Sequence, residues 1–153
     1  MDARERAIHY LNIKPRTRQQ VIGYLKTKGF TEAEISESIR ELEQYHYIDD
    51  LNYSRMYFEY GFEKGRGMLR LKRELSEKGV AADVIQMACQ QLEDIPDQFE
   101  AALAIGERMM SDLKPEEMDY ADRKKLQARI GRRLMNRGFS ADVVYRVIGR
   151  LIP

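Results

Sequence analysis

The sequence predicts an all-α protein made of three tandem three-helix repeats, each resembling a helix-turn-helix, in an elongated array. Three observations predict this fold class. A leucine followed by two residues, a basic residue and a glycine recurs at Leu25, Leu75 and Leu134. Apolar residues recur at fixed offsets around each leucine, which is the mark of an internal repeat. Their spacing is helical almost throughout, and strand-like alternation is nearly absent.

The recurring apolar residues lie four positions before the leucine and five, ten, fourteen and seventeen positions after it. They are Val21, Phe30, Ile35, Ile39 and Leu42 in the first copy, Leu71, Val80, Ile85, Cys89 and Leu92 in the second, and Ile130, Phe139, Val144, Ile148 and Leu151 in the third. We expect them to form a small core in each repeat. Three short helices are marginal alone, so neighbouring repeats should pack on one another.

The first repeat, residues 1–48, is predicted to contain three helices. The first runs over about 2–12, the second stops at Gly29, and the third ends near Tyr45. Thr17 followed by Gln20, and Thr31 followed by Glu34, are capping-box patterns that start the second and third helices. Gly29 between them suits a left-handed helix end.

The second repeat, residues 49–95, is predicted to contain helices over about 51–64, 68–78 and 82–93. Asp49 or Asp50 is placed to cap the first of these helices. Residues 65–67, Gly-Arg-Gly, break the chain before the second, and Gly79 ends it. Ala81 stands where the other repeats carry a capping hydroxyl, so the last helix lacks that cap.

The third repeat, residues 96–153, is predicted to contain helices over about 97–112, 120–136 and 141–151, the last of them capped by Ser140. Its charge is uneven, although the whole chain has a net charge of only +1. Residues 93–122 carry two basic and ten acidic groups, whereas residues 123–137 carry seven basic groups and no acidic one. The sequence leaves open whether the acidic stretch neutralises the basic helix.

Basic residues recur every fourth position in that helix and form a cationic stripe beside an apolar one. The cationic stripe is Lys125, Arg129, Arg133 and Arg137, and the apolar stripe is Leu126, Ile130 and Leu134. Most charged faces are simply solvated, but a basic stripe without acidic partners suits a phosphate backbone or an acidic protein groove. With a second basic patch in the second repeat, the candidate partner-binding residues are Arg66, Arg70, Lys72, Arg73, Lys125, Arg129, Arg132 and Arg133.

No catalytic or metal-binding constellation is visible. The chain has only His9, His46 and Cys89 as imidazole and thiol groups, and their spacing fits no zinc or thiol-redox site. Residues 65–67 lack the preceding strand and the Lys-Ser/Thr tail of a phosphate loop. We therefore expect no enzyme activity, no metal and no cofactor. Acidic residues at the start of each repeat's last helix also disfavour sequence-specific reading of DNA.

The composition indicates a folded protein outside the membrane. No apolar run approaches the ~20 residues of a membrane span, and the first residues lack the apolar core of a signal peptide. The single cysteine excludes an internal disulfide and suits a reducing compartment. We expect a cytoplasmic monomer.

Several spacings in the centre of the chain hold together as one signature. The segments are Tyr47-Ile48-Asp49-Asp50, Gly65-x-Gly67, Glu74-Leu75 and Lys78-Gly79-Val80. They resemble the central signature of the RecX regulatory proteins, and the flanking repeats resemble that family's first and last repeats. Three positions depart from the family pattern: His46 replaces a glycine, Met68 replaces a proline, and Gly61 replaces a polar or basic residue.

The resemblance implies three tandem three-helix repeats in a curved array and no catalytic activity. It implies a modulator, most often an inhibitor, of the RecA recombinase. Such proteins bind along the groove of the RecA–DNA filament and lower its ATPase, strand-exchange and coprotease activities, which links them to homologous recombination, DNA repair and the SOS response. The signature residues Tyr47, Asp49, Asp50, Gly65, Gly67 and Gly79 then have structural roles.

Two other functions stay open on the residues alone. The same basic stripe would serve a helical nucleic-acid-binding protein that acts without RecA, and some RecX proteins also contact DNA. The repeat would equally serve an interaction scaffold for another partner. Steep salt dependence of DNA binding would favour the first, and a pull-down that never returns RecA would favour the second.

Overall fold

Nine α-helices follow one another along the chain in a computed structural model that describes residues 1–153. They are α1 (Ala3–Ile13), α2 (Arg18–Thr27), α3 (Glu32–Gln44), α4 (Asp50–Glu63), α5 (Met68–Glu77), α6 (Ala82–Gln91), α7 (Gln98–Met110), α8 (Tyr120–Arg137) and α9 (Ala141–Leu151). A short 3-10 helix over Pro115–Glu117 precedes α8, and no residue lies in a strand. The predicted all-α fold of three consecutive three-helix repeats is confirmed. None of the helices combines the length and the apolar character needed to cross a bilayer.

The helices form two compact units. The first unit comprises residues 1–57 and 74–92, and the second comprises residues 58–73 and 93–153. Helices α4 and α5 of the second repeat therefore contribute residues to both units. The sequence places the boundaries between repeats after residues 48 and 95. These boundaries stay a prediction, because the two units do not follow the repeats.

Each unit buries most of the apolar residues that the repeat predicts. The first unit's core contains Val21, Leu25, Ile35, Ile39 and Leu42, closed by Ala3 and Ala7 of α1. The second unit's core contains Leu126, Ile130, Leu134, Phe139 and Val144, closed by Ala102, Leu103 and Ile105 of α7. The apolar stripe of α8 is therefore buried as predicted.

Five of the predicted core positions are only partly buried. They are Phe30 in the first repeat, Cys89 and Leu92 in the second, and Ile148 and Leu151 in the third. Cys89 and Ile148 are only partly buried, whereas Ala88 and Val147, one position earlier, are completely buried. In α3 both equivalent positions are buried, as Ser38 and Ile39, so the buried faces of α6 and α9 extend less far at this offset.

The predicted helix starts are confirmed at atomic detail. Thr17 and Gln20 form a complete capping box before α2, and Thr31 and Glu34 form one before α3. Ser140 caps α9, while Ala81 makes no side-chain cap before α6. The hydroxyl of Thr17 is completely buried, so this cap belongs to the interior of the first unit.

The turn after each middle helix contains a left-handed glycine, as predicted. The φ angles are +85° at Gly29, +89° at Gly79 and +102° at Gly138. His46 also has a positive φ, of 61°, at the position where the resembling family carries glycine. Histidine tolerates this region better than most residues, but only glycine enters it without steric cost.

Candidate functional site

The start of each of the first two middle helices docks on the glycine turn of the following repeat. The Thr17 hydroxyl donates to the carbonyl of Lys78 at 2.7 Å. The amide of Gly67 donates to the carbonyl of Arg137, also at 2.7 Å. Thr17 and Gly67 both lie eight positions before their repeat leucine, so the same contact is made twice by equivalent residues.

A second pair of equivalent bonds secures these helix starts. The amide of Arg18, the first residue of α2, donates to Oδ1 of Asp50 at 2.9 Å. The amide of Met68, the first residue of α5, donates to Oε1 of Gln98 at 2.9 Å. Asp50 and Gln98 are themselves the first residues of α4 and α7. A proline at position 68 would have no amide hydrogen for this bond.

The adjacent acidic residues Asp49 and Asp50 therefore cap two different helices. Asp49 caps its own helix by accepting from the amide of Asn52 at 3.0 Å. Asp50 instead caps α2, whose free amides favour a carboxylate. Either residue could have capped α4 on the sequence alone, and the structure assigns that role to Asp49.

Two glycines allow the second docking contact to be unusually close. A Cβ atom on Gly67 would lie 2.4 Å from the carbonyl oxygen of Gly138. A Cβ atom on Gly138 would lie 2.2 Å from Cβ of Arg70 and 2.7 Å from its backbone nitrogen. The amide of Leu69 uses this proximity and donates to the Gly138 carbonyl at 3.1 Å. Gly67 and Gly138 thus bring the start of α5 against the end of α8.

Arg137 holds the loop of residues 64–67 from both sides. Its Nη2 donates to the carbonyl of Lys64 at 2.8 Å, and its own carbonyl accepts from Gly67. A Cβ atom on Gly65 would lie 2.8 Å from Nη2 of Arg137, and Gly65 has a φ of +76°. Both glycines thus lie where neighbouring atoms leave no room for a side chain. That the signature has a structural role stays a prediction.

This packing gathers arginines from separate parts of the chain. Burial lowers the pKa of Arg137, and repulsion from neighbouring guanidinium groups lowers it further. Those neighbours are, in decreasing order of effect, Arg133, Arg70, Arg66 and Arg108. We call Arg66, Arg70, Arg108, Arg133 and Arg137 the arginine cluster. Arg70 of the second repeat's basic patch thus lies beside Gly138, at the end of the helix that carries the other patch.

A row of basic side chains leads away from the arginine cluster along α8. Lys125, Arg129 and Arg133 are exposed, while the opposite side of α8 is buried. These three residues form no ion pair, so the acidic stretch does not neutralise them through direct contacts. Two of the acidic residues, Asp97 and Asp119, instead cap α7 and α8. We call Lys125, Arg129 and Arg133 the α8 row.

Three of the partner-binding residues predicted from the sequence lie outside both the arginine cluster and the α8 row, and all three are exposed. They are Lys72 and Arg73 on α5 and Arg132 on α8. Sequence reasoning missed two members of the cluster. Arg137 was left out of the candidate partner-binding residues, although it continues the cationic stripe of α8 at the same spacing of four residues. Arg108 lies inside the acidic stretch, whose net charge concealed it.

Few other features suggest chemistry. No group of three or more His, Cys, Asp or Glu residues is arranged to hold a metal ion. The imidazole of His46 is exposed, with Nδ1 3.8 Å from Oδ2 of Asp49. It lies in sequence between Tyr45 and Tyr47, which are also exposed.

Family models match all three repeats. Models described as the first, second and third three-helix domains of RecX match residues 3–42, 49–88 and 96–148. The regulatory protein RecX of Prosthecochloris aestuarii is 30% identical over 98% of this chain and 93% of its own length. That of Vibrio campbellii is 30% identical over 94% of this chain and 88% of its own.

Other relatives are longer. The regulatory protein RecX of Streptococcus uberis is 30% identical over 95% of this chain, but the chain spans only 54% of that relative's length. The chain spans the same share of the relative from Lactobacillus delbrueckii subsp. bulgaricus.

Solved structures show the same fold. The crystal structure of RecX from Lactobacillus salivarius superimposes with a TM-score of 0.79 at 25% identity, covering 97% of this chain and 94% of that one. A second crystal structure, of a regulatory protein RecX, gives a TM-score of 0.76 at 22% identity and covers 97% of this chain and 70% of that one.

Proposed function

The chain belongs to the RecX family of regulatory proteins, and on that premise we propose that it regulates a RecA recombinase by binding along the groove of the RecA–DNA filament. It acts without catalysing a reaction, in the cytoplasm, and lowers the filament's ATPase, strand-exchange and coprotease activities. In this role it limits homologous recombination and the SOS response during DNA repair.

The proposal is supported by the basic side chains of the second unit, which are exposed along α8 and gathered around Arg137. The arginine cluster and the α8 row lie on one surface because Gly67 and Gly138 bring α5 against α8. A nucleoprotein groove offers phosphates and carboxylates in repeating order, which suits several separate basic contacts. Such contacts add up through multivalency even when each one is weak.

The test measures the single-stranded-DNA-dependent ATPase of RecA while the protein is added below and up to equal concentration. We expect inhibition at sub-stoichiometric ratios, since one bound protein spans several filament contacts. The double substitution Arg129→Glu and Arg133→Glu should weaken inhibition by at least about tenfold, because a contact made by a charged group is worth ~1.5–3 kcal/mol.

Arg40→Glu is the matched control for this test. Arg40 is exposed on α3 in the first unit, so the substitution reverses a charge away from the basic surface, with half the change of charge made by the double variant. It should leave inhibition within about twofold of the unsubstituted protein, as surface changes outside a contact usually do. The proposal is wrong if no ratio changes the ATPase rate and no binding to the filament is detected.

A further inference from the structure

We propose that the outer face of α9 is a docking surface for a helix of a partner protein. The partner helix carries two acidic residues and one basic residue in a row, and an apolar side chain that fills the space above Gly149. The docking surface consists of Asp142, Tyr145, Arg146, Gly149 and Arg150, all of them exposed, and we call it the α9 face. It shares no residue with the arginine cluster or the α8 row, so the inference goes beyond the proposed function and holds or fails without it.

Gly149 leaves a gap in this face that the fold itself does not require. It lies inside α9, where glycine is the least favourable residue after proline. A Cβ atom on Gly149 would meet no atom within 4 Å, and its φ is not positive. Gly106 of α7 differs, because a Cβ atom there would lie 2.7 Å from Cδ1 of Leu151. The gap at Gly149 therefore faces outward and is open to a side chain of another molecule.

Tyr145 stands beside this gap, four residues before Gly149. Its side chain is 80% exposed, more than any other large apolar or aromatic side chain of the protein. Helices pack by placing the ridge formed by residues four apart on one helix into a groove on the other, and a ring next to a gap suits such a contact. Tyrosine is also enriched in protein interfaces. The equivalent positions are Ser36 and Arg40 in the first repeat and Gln86 and Gln90 in the second, so only the third repeat has this pair.

A charged row runs beside Tyr145 and Gly149. Asp142, Arg146 and Arg150 are spaced four residues apart, or about 6 Å along the helix axis. None of the three forms an ion pair within the chain. The guanidinium carbon of Arg146 lies 4.6 Å from the centre of the Phe99 ring, which holds this side chain in place before a partner arrives. The row is therefore available to charges on another molecule.

The order of the charges favours a protein helix as the occupant. A phosphate strand along the row would meet the two arginines but would be repelled by the carboxylate of Asp142. A helix can satisfy all three charges with acidic residues opposite Arg150 and Arg146 and a basic residue opposite Asp142. Its own residues four apart lie on one face and rise by the same distance of about 6 Å, so one face of the partner matches the whole row.

The experiment measures binding of a fluorescein-labelled helical peptide to the full chain by anisotropy. The peptide is about 18 residues long, because shorter isolated helices are marginal. It carries leucines along one face and, beside them, two glutamates and a lysine spaced four residues apart. A second peptide differs only in having lysine in place of the outer glutamate, which is the one that lies opposite Arg150.

Three variants are compared with the unsubstituted protein. Gly149→Ala fills the gap, and Arg150→Glu reverses the outer charge of the row. Gly23→Ala is the matched control, because Gly23 is also exposed inside a helix, α2, and a Cβ atom there would meet nothing within 4 Å. Thermal unfolding of each variant is measured beside peptide binding.

We expect both alanine variants to unfold about 2–4 °C higher than the unsubstituted protein, since alanine favours the helix. Only Gly149→Ala should bind the first peptide more weakly, by about tenfold, because its methyl group occupies the gap. A glycine with a merely structural role would not combine a gain in stability with a loss of binding. Arg150→Glu should bind the first peptide about two- to fivefold more weakly and should prefer the second peptide.

Several results would overturn the proposal. One is that Gly149→Ala and Gly23→Ala bind the first peptide equally well, or that no binding is detected. Another is that Arg150→Glu keeps the preference of the unsubstituted protein between the two peptides. A third is that oligothymidylate displaces the first peptide at equal concentration of charge, which would make a nucleic acid the occupant. A lower unfolding temperature of Gly149→Ala would show that the fold itself needs this glycine.

Discussion

The carboxylate of Asp50 accepts a hydrogen bond from the backbone amide of Arg18 at 2.9 Å, although the two residues are 32 positions apart. Burial raises the pKa of Asp50, the bond from Arg18 opposes that rise, and repulsion from Glu43 adds to it. The bond itself favours the charged carboxylate, whereas burial and Glu43 oppose that charge, so we expect the acceptor oxygen to matter more than the charge. Gln98, a neutral side chain, makes the equivalent bond at the next junction.

We expect Asp50→Asn to be neutral or stabilising at pH 7. A carboxyl group whose pKa is raised by folding contributes its stability below its ordinary pKa and loses it as the pH rises through the folded value. The substituted amide keeps an acceptor oxygen without that loss. The difference in the free energy of unfolding between variant and unsubstituted protein should thus grow in favour of the variant as the pH rises from about 4 to 7. Urea unfolding at several pH values measures it.

Asp50→Leu serves as the contrasting variant because it removes the acceptor as well as the charge. It should lower the free energy of unfolding by about 1 kcal/mol, the usual cost of a lost helix cap. If Asp50→Asn and Asp50→Leu destabilise equally at pH 7, the charge of Asp50 and not its acceptor oxygen secures α2.

Alanine at the three turn glycines should cost increasing amounts of stability in the order Gly29, Gly79, Gly138. All three have positive φ, so each substitution carries roughly 1–2 kcal/mol of backbone strain. A Cβ atom on Gly29 would meet nothing within 4 Å, and a Cβ atom on Gly79 would meet the side chain of Gln19. A Cβ atom on Gly138 would meet both the side chain and the backbone of Arg70. Overpacking adds about 1–3 kcal/mol at the crowded sites. Urea unfolding would contradict this order if Gly29→Ala were as costly as Gly138→Ala.

Thr17→Val should destabilise the first unit more than Thr17→Ser. Valine keeps the shape but loses both bonds of the hydroxyl, to the amide of Gln20 and the carbonyl of Lys78. The expected loss is about 2–3 kcal/mol, from the cap and from a buried carbonyl left without its donor. Serine keeps both bonds and loses one methyl group, at about 0.8 kcal/mol. Equal losses in thermal unfolding would show that packing, and not the hydroxyl, matters at this position.

His46→Gly should raise the stability of the protein by up to about 1 kcal/mol, because glycine adopts a positive φ without steric cost. The contact of His46 with Asp49 is exposed, at 3.8 Å, and its loss should cost little. Tyr45→Gly is the control, since Tyr45 has an ordinary φ of −93° and is also exposed. Glycine there should lower stability. Chemical unfolding of both variants tests whether the gain belongs to the backbone angle.

The local parts of this fold could be predicted from the sequence because their causes are local. Capping boxes such as Thr17 with Gln20 act within one helical turn, and the apolar spacing around Leu25, Leu75 and Leu134 fixes which faces are buried. The left-handed turns follow from glycine at one fixed offset. Each of these features depends on residues close together in the chain.

The composition of the arginine cluster could not be predicted, because it depends on contacts over long stretches of sequence. Arg70 and Arg133 appeared as members of two separate patches, and only the close approach of Gly67 to Gly138 joins them. The same limit applies to Asp50, which lies beside Asp49 in sequence but serves a different helix. Arg108 was also missed, because it lies within residues 93–122, whose net charge is strongly negative.

The open turn at Lys28–Gly29 has a use in protein engineering. The equivalent turns of the later repeats each receive a helix start from the repeat before, whereas Gly29 is exposed and has room for a Cβ atom. A designer could add a repeat ahead of the first one by giving it threonine or glycine eight positions before its leucine. The length of the protein, and with it the number of repeats, could then be chosen as a design variable.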